Sequence, residues 1–277
     1  MTGSGTGSMR GIIPRAMQQV GSYKNELEGK GWEYFMEVSF IEIYNENIRD
    51  LLRNSYSEEI KHEIKRDAGG ASYISDVTML AVDPNDSDQM DAIMEKAARY
   101  RSTAATAMND QSSRSHSVFA LHLRASNKEQ GISLRGTLSL VDLAGSERIE
   151  KSGATGNRLK EAVSINKSLS SLIDVFTAIS NKQPHIPFRN SKLTYLLQPA
   201  LSGEGKTLML VNLSPTEDSF HESLCSLRFA SQVNQCELGK AKRQIKEAPL
   251  EPKLTPSAEK TNGGTPSSQI KKAARFR

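Results

Sequence analysis

The sequence predicts an α/β fold, in which helices pack on a sheet in layers. Short apolar runs rich in branched residues, at 117–123, 137–143 and 208–213, have the length and composition of strands. Between them lie segments whose apolar residues recur every three or four positions, as in amphipathic helices. This alternation of strands and helices is typical of layered α/β domains.

The helices are predicted from this spacing and from the residues that begin and end them. Pro14 suits the first turn of an N-terminal helix. The clearest helix has apolar residues in alternating steps of three and four, and Pro184 and Pro187 end it. Its apolar residues are Ala162, Ile165, Leu169, Leu172, Phe176 and Ile179. Further helices are predicted at 86–108, 191–201 and 219–238.

The other strands are predicted from longer stretches. Residues 32–52 are apolar and β-branched and are expected to end in a short helix. Residues 62–82 have the pattern of a hairpin around Gly69 and Gly70. The stretch 137–143 is almost entirely apolar, which predicts a strand buried on both faces.

Composition excludes several classes of protein. The chain has 277 residues, the size of one large domain or two small ones. It has no apolar run of about 18 residues, so neither a transmembrane helix nor a membrane partner is predicted. Its Gly-, Ser- and Thr-rich start lacks the apolar segment of a secretory signal. Cys225 and Cys236, on one predicted helix, are expected to be buried free thiols.

The net charge of +4 comes from the C-terminal end of the chain. Beyond residue 247 lie six Lys and Arg residues against two acidic ones, so the preceding part is neutral overall. We divide the chain into a flexible stretch at 1–10, a domain at 11–240 and a disordered basic tail at 241–277. No basic stretch studded with aromatic residues accompanies the tail, so no nucleic-acid partner is predicted.

One Gly-rich stretch imitates a phosphate-binding loop. Residues 200–207 match a relaxed P-loop pattern, with Gly205, Lys206 and Thr207 in place. A true P-loop follows a strand and begins a helix, so that helix N–H groups meet the phosphates. Here a helix precedes the stretch and a strand is predicted to follow, which indicates a helix-to-strand turn.

Two polar loops carry residue types that nucleotide hydrolysis needs. Asp142 ends a predicted strand, where an acid can hold Mg²⁺, and the N–H of Gly145 can reach a phosphate oxygen. Residues 109–116 place three hydroxyls, Arg114 and His116 between a helix and a strand. Hydroxyls can ligate Mg²⁺ and Arg can hold a phosphate. From composition alone, polar turns that cap neighbouring elements would also explain both loops.

Taken together, the two loops resemble switch I and switch II of the kinesin motor family. Residues 109–116 read N-D-Q-S-S-R-S-H and residues 142–147 read D-L-A-G-S-E. Further kinesin-like motifs occur in the family's order at 42–46, 165–169, 186–194 and 227–230. The resemblance covers residues 1–240 and implies a kinesin-like P-loop NTPase fold, with a mixed sheet flanked by helices on both faces.

The resemblance implies ATP and Mg²⁺ as cofactors. The implied catalytic residues are Ser112, Ser113, Arg114, Asp142, Gly145 and Glu147. Asn109 and the two serines would face the nucleotide, with the Ser113 hydroxyl on Mg²⁺. Asp142 would hold the water shell of Mg²⁺, and Gly145 would sense the γ-phosphate. Arg114 and Glu147 would form the ion pair that closes the switches around the attacking water.

The implied partner is the microtubule, whose surface is acidic. Clustered cations suit such a track even on a neutral domain. The positions that kinesins use for tubulin are occupied by Lys151, Arg158, Lys160, Lys167, Arg189 and Lys192. The implied location is the cytoplasm, on the microtubule cytoskeleton and its spindle.

The family's P-loop, G-Q-T-G-S-G-K-T, does not occur in these 277 residues. In kinesins it lies just before the matched segment, together with strands of the central sheet. The resemblance therefore predicts a sheet without its N-terminal strands. It also predicts that this chain alone neither binds ATP tightly nor folds well. The alternative is a non-catalytic microtubule-binding module, although such a module would have no need for the catalytic switch residues.

The type of kinesin is predicted from the end of the matched region. Residues 231–244 and Tyr195 are similar to kinesins whose motor domain is C-terminal, the kinesin-14-like type. Such motors are usually minus-end directed, hydrolyse ATP when stimulated by microtubules, and dimerise through a coiled coil. That coiled coil is not in this sequence.

Overall fold

The computed structural model describes residues 1, 9–54, 60–66, 72–105, 114–145, 157–203, 205–238 and 245–247. Its helices are α1 (Ile12–Glu28), α2 (Ser87–Ala105), α3 (Asn157–Ser180), α4 (Lys192–Leu201) and α5 (Phe220–Asn234). Its strands are β1 (Trp32–Tyr44), β2 (Asn47–Asp50), β3 (Ile64–Arg66), β4 (Ser72–Ile74), β5 (Leu80–Ala81), β6 (His116–Asn127), β7 (Ile132–Asp142) and β8 (Ile245–Glu247). The predicted α/β architecture is confirmed.

The main sheet has the strand order β2-β1-β6-β7-β8, and β5 also pairs with β1. Every strand pair within the described residues is antiparallel. Along the β6–β7 pair, Ser117 lies opposite Asp142. The start of β6 and the end of β7 therefore lie at the same end of the sheet. The hairpin predicted within 62–82 is confirmed, because β3 and β4 pair with each other.

Helices cover both faces of this sheet. On one face α1 and α2 pack against alternate residues of β1 and β6. Buried residues of this layer include Ile13, Met17, Val38, Phe40, Met90, Ile93, Phe119 and Leu121. On the other face Ile41, Ile43 and Val118 pack with Leu193 of α4 and Ile64 of the small hairpin. The two layers follow from the alternation of side chains along a strand.

A third apolar cluster joins the long helix α3 to its neighbours. Leu172, Val175 and Phe176 of α3 pack with Phe188, and Leu143 and Leu197 lie against the same cluster. Leu143 directly follows β7, so this cluster places the end of β7 beside α3. The predicted helices at 191–201 and 219–238 are present as α4 and α5. The Ser191 side chain accepts a hydrogen bond from the Thr194 N–H and so caps α4.

The expected helix at the end of residues 32–52 is wrong. The chain instead turns at Asn45 and Glu46 and returns as β2, which pairs with β1. Both turn residues have positive φ, at 49° and 58°, which suits a two-residue hairpin turn. Leu51 and Leu52 follow the strand and are fully buried. Burial of apolar residues in a hairpin, rather than in a helix, explains this stretch.

The strand predicted at 137–143 is confirmed as part of β7, but its expected burial and the strand predicted at 208–213 are wrong for a shared reason. The first segment lies in β7, but residues 135–139 are exposed. Beyond β6, the described residues pair β7 only at Ile132–Leu134, with β8. The second segment has no regular structure, and Leu208 and Leu210 are 84% and 65% exposed. An apolar run becomes a buried strand only where neighbouring strands and helices cover it.

Three smaller expectations concern the cysteines, the ends of the chain and membranes. Both cysteines are free thiols, as expected, but the expected burial is wrong, because Cys225 is exposed and Cys236 is only half-buried. Cys236 also lies just beyond the end of α5. Ile245–Glu247, inside the predicted disordered tail, form the short strand β8. Residues 2–8 and the tail beyond 247 lie outside the described residues. None of the described helices is long and apolar enough to cross a membrane.

Candidate functional site

The described parts of the two switch-like loops lie at one end of the sheet. Arg114 lies two residues before β6, and Asp142 and Gly145 lie at and just after the end of β7. Since β6 and β7 are neighbours that pair at Ser117 and Asp142, the structure places residues 114–116 and 142–145 at the same end of this strand pair. The predicted residues Asn109, Ser112, Ser113 and Glu147 lie outside the described residues.

A buried carboxylate anchors the end of the first loop, at Ser115. The Glu42 side chain, on β1, is 3% exposed. Its Oε1 accepts a 2.7 Å hydrogen bond from the Ser115 hydroxyl and lies 3.3 Å from Nε of Arg101 on α2. A second guanidinium, that of Arg49, lies 3.6 Å from the other carboxylate oxygen. Because a buried carboxylate is costly without partners, this cluster fixes Ser115 relative to β1 and α2.

The next residue, His116, is anchored on the opposite face of the sheet. Its Nε2 lies 2.7 Å from Oγ of Ser168 on α3, and its Nδ1 accepts a 3.0 Å hydrogen bond from the backbone N–H of Ala144. Burial lowers the pKa of His116 to about 4, so the imidazole is neutral near pH 7. The imidazole therefore links the start of β6, the loop after β7 and the long helix.

Asp142, the residue expected to hold the water shell of Mg²⁺, has an exposed carboxylate at the end of β7. Its side chain is 51% exposed, and its Oδ2 lies 3.9 Å from the amino group of Met1. The described residues contain no group of three or more His, Cys, Asp and Glu side chains that could hold a metal. Mg²⁺ does not require such a group, because it keeps several waters and uses one or two carboxylates together with phosphates. An exposed carboxylate at a strand end fits that chemistry.

Two of the predicted microtubule-binding residues line one shallow groove. Lys167 of α3 and Arg189, in the turn before α4, are both exposed and lie along it. The remaining lining residues are Ser170, Ser171, Asp174 and Asn190. The Arg189 guanidinium lies over the Tyr195 ring, 5.5 Å from its centroid. This contact orients the guanidinium beside the groove.

The structure describes the other predicted microtubule-binding residues only in part. Lys192 begins α4, and its backbone N–H donates a 2.9 Å hydrogen bond to the Glu46 carboxylate, while its side chain is half-buried. Arg158 and Lys160 lie on α3, but their side chains are outside the described ones. Lys151 lies outside the described residues altogether.

Sequence reasoning missed the residues that hold the loops in place. Glu42 belongs to the kinesin-like motif at 42–46 and Ser168 to the motif at 165–169, but the sequence pattern assigns neither residue a role in the site. One signal was available, because Glu42 interrupts the apolar run at the end of β1, between Ile41 and Ile43, and a charge that is buried there must have partners. The partners themselves, Ser115 and Arg101, are too distant in sequence for any local pattern to identify.

The stretch that imitates a P-loop follows a helix, as predicted, but the strand expected after it is not present. Residues 200 and 201 lie in the last turn of α4, and residues 205–213 have no regular structure. Gly203 has a φ of +90°, and the Leu238 carbonyl occupies the space where a Cβ would lie. Glycine is therefore required at position 203 by the packing of the chain. No helix directly follows this stretch that could present N–H groups to a phosphate.

Comparisons with known proteins give a consistent result. A family model described as the kinesin motor domain matches residues 1–236. The Kinesin-like protein KIN-14M of Arabidopsis thaliana is 50% identical over 89% of this chain and 34% of its own length. The Kinesin-like protein KAR3 of Saccharomyces cerevisiae is 50% identical over 82% of this chain and 32% of its own length. This chain therefore spans about a third of the curated relatives it matches.

Solved structures agree. The structure of the motor domain of Kar3 from Saccharomyces cerevisiae has a TM-score of 0.70 and 50% identity, covering 81% of this chain and 68% of that one. A structure described as a fast kinesin reaches a TM-score of 0.79 at 35% identity, covering 95% of this chain and 73% of that one. The match over residues 1–236, together with the shared fold, shows that this chain belongs to the kinesin motor domain family.

Proposed function

We propose that this chain is the switch-bearing and microtubule-binding part of a kinesin motor that couples ATP hydrolysis to movement along microtubules. The observation that supports the proposal is that residues 114–116 and 142–145, the described parts of the two loops, lie at one end of the β6–β7 pair. The same end is hydrogen-bonded, through His116, to the helix that carries Lys167. A motor needs this arrangement, because nucleotide chemistry must change the affinity for the track.

ATP and Mg²⁺ would be held at this end of the sheet. Asp142 would orient waters on Mg²⁺, and the serines at 112 and 113 would supply a hydroxyl ligand and contacts to the nucleotide. The N–H of Gly145 would donate to a phosphate oxygen, and Arg114 would pair with Glu147. Phosphoryl transfer requires positioning and charge stabilisation, which Mg²⁺ supplies when it is bound. The Glu42 cluster and His116 would hold both loops in register for this task.

The microtubule would lie across the groove between α3 and the turn before α4. Lys167 and Arg189 are exposed there, and the resemblance adds Lys151, Arg158, Lys160 and Lys192. Cations on one face attract an acidic surface and orient its approach even when the domain carries little net charge. Attraction of this kind weakens with salt, which provides a simple check.

The 277-residue chain by itself is proposed to bind ATP weakly. It contains no P-loop pattern followed by a helix, so the β- and γ-phosphates would lack their ring of N–H donors. The exposed residues of β7 and Leu208–Leu213 also leave part of the sheet uncovered. Titration of the pure chain with a fluorescent ATP analogue tests this, and micromolar affinity would contradict it.

The similarity to a carboxy-terminal kinesin supports a C-terminal type of motor. Relatives named Carboxy-terminal kinesin 2 of Xenopus laevis and KIN-14M are 49% and 50% identical to this chain. We infer minus-end movement, dimerisation through a coiled coil and a place on cytoplasmic and spindle microtubules from this similarity. Direction of gliding, measured on polarity-marked microtubules with the whole protein, tests the inference.

A non-catalytic microtubule-binding module is the second candidate, because the sequence lacks the P-loop. The two candidates differ in one property, since only a motor changes its microtubule affinity with the nucleotide. Sequencing the transcript upstream of codon 1 separates them first. An open frame that reaches a strand and G-x-x-x-x-G-K-T supports the motor. An in-frame stop with no such motif supports the module.

A further inference from the structure

One buried imidazole joins three elements that are far apart in sequence. His116 begins β6, Ser168 lies in the middle of α3, and Ala144 lies in the loop that follows β7. The residues are 3%, 2% and 6% exposed. The contacts are 2.7 Å from Nε2 to the serine Oγ and 3.0 Å from Nδ1 to the alanine backbone nitrogen.

The direction of both hydrogen bonds follows from one partner. A backbone N–H can only donate, so Nδ1 of His116 must accept from Ala144. The proton of the neutral ring is then on Nε2, which donates to the Ser168 hydroxyl oxygen. The acceptor on α3 thus favours the one tautomer that can hold the loop after β7.

We propose that His116 is a positioning residue that couples the position of α3 to the loop at residues 143–145. This inference rests on the proposed function, because α3 carries Lys167, the neighbour of Ser168, in the groove assigned to the microtubule. A movement of α3 that withdraws the Ser168 hydroxyl leaves a buried Nε2–H without its acceptor. The ring must then rotate or change tautomer, and either change releases the Ala144 N–H.

Burial makes this link sensitive. His116, Ser168 and Ala144 are all buried, and an unsatisfied buried donor is costly, so the ring follows its partner. Leu143 strengthens the connection, because it packs against the cluster formed by Leu172 and Phe176 of α3. Side-chain packing and the imidazole therefore connect the same loop to the same helix.

A neighbouring serine provides a matched control. Ser171 is also on α3 and is 4% exposed, but its hydroxyl donates to the Lys167 carbonyl of its own helix, at 2.7 Å. Because Ser171 also lines the groove assigned to the microtubule, this control is used only without microtubules. Ser168→Ala removes the acceptor of His116, whereas Ser171→Ala removes a hydroxyl of the same size within the helix. Ser168→Thr retains the hydroxyl and serves as the conservative variant.

The first arm uses the free 277-residue chain. Hydrogen exchange reports the Ala144 amide, and ¹⁵N spectra of the His116 ring report its tautomer. Ser168→Ala is expected to speed exchange about tenfold, the size of losing one hydrogen bond, and to move the ring nitrogens away from the pure Nε2–H pattern. Ser171→Ala and Ser168→Thr are expected to leave both signals near wild type. Equal signals in the two alanine variants would overturn the proposal.

The second arm adds saturating microtubules and follows exchange of the peptide that spans 143–145. Binding is expected to change exchange in the wild type and in Ser168→Thr, and the change is expected to disappear in Ser168→Ala. A bound Ser168→Ala chain that shows the wild-type change would overturn the coupling. If no variant binds microtubules, the proposed function fails instead, and the free-chain arm alone decides whether Ser168 controls the Ala144 amide.

Discussion

The Glu42 carboxylate accepts a 2.7 Å hydrogen bond from the Ser115 hydroxyl, which ties strand β1 to the end of the first switch-like loop. The carboxylate also faces Arg101, which donates to the same hydroxyl at 3.3 Å. The three side chains close a small buried network between β1, α2 and the start of β6. This network fixes the position at which the loop joins β6.

The Glu42→Gln substitution tests the strength of this network. The neutral amide keeps the shape but leaves Arg101 and Arg49 beside a weaker acceptor, so we expect a loss of about 1–3 kcal/mol in the free energy of unfolding. Urea denaturation measures it. The control is Glu33→Gln on the same strand, which breaks the exposed pair with Lys128 and should cost no more than about 1 kcal/mol. Equal losses in the two variants would show that the buried network contributes no more to stability than an exposed ion pair does.

Acid is expected to destabilise the chain through His116. Its pKa is about 4 when folded, because burial disfavours the charged ring, and about 6.5 when unfolded. The unfolded chain therefore binds the proton first, and the stability present above pH 6.5 is lost as the pH falls towards 4. The loss at pH 5 should be about 2 kcal/mol. Burial also lowers the pKa of His122, which adds to the effect in the same direction.

The check is a pair of urea curves at pH 7 and pH 5, together with an NMR titration of the His116 ring. The ring should remain neutral at pH 5 in the folded chain. A ring that titrates near 6.5 would contradict the buried, hydrogen-bonded placement of His116. Stability that is unchanged between the two pH values would contradict the linkage argument.

The apolar segment at 208–213 gives a prediction about packing. Leu210 is 65% exposed, so Leu210→Ala should change the free energy of unfolding by less than about 0.5 kcal/mol. Leu193 is fully buried under the sheet, and Leu193→Ala should cost about 2–5 kcal/mol. Chemical denaturation of both variants compares them. A loss at Leu210 as large as at Leu193 would mean that the segment is a buried strand in solution.

How much the sequence predicted depends on how local each interaction is. The helices were predicted well, because spacing and caps such as Ser191 lie within a few residues of one another. The hairpin turn at Asn45 and Glu46 was missed, because neither residue is the glycine that usually marks such a turn. Apolar runs predicted buried strands at 137–143 and 208–213, but burial requires partner strands that no local pattern specifies.

In the candidate site, too, residues in local motifs could be predicted and residues that act through long-range contacts could not. Arg114, Asp142 and Gly145 could be predicted because they belong to short contiguous motifs. The residues that hold these motifs, Glu42 and Ser168, come from β1 and α3. Their contacts span 73 and 52 positions in the chain, so only the folded structure brings them together.

The central claim is that the α3 groove binds microtubules, and cosedimentation of the chain with microtubules tests it most directly. Lys167→Ala and Arg189→Ala should each weaken binding about two- to fivefold, as expected for exposed ion pairs, and added salt should weaken wild-type binding. Lys128→Ala, at the far end of β6, is the charge-matched control and should bind as the wild type does. Binding that all three variants retain equally, or that is absent from the wild type, would contradict the account.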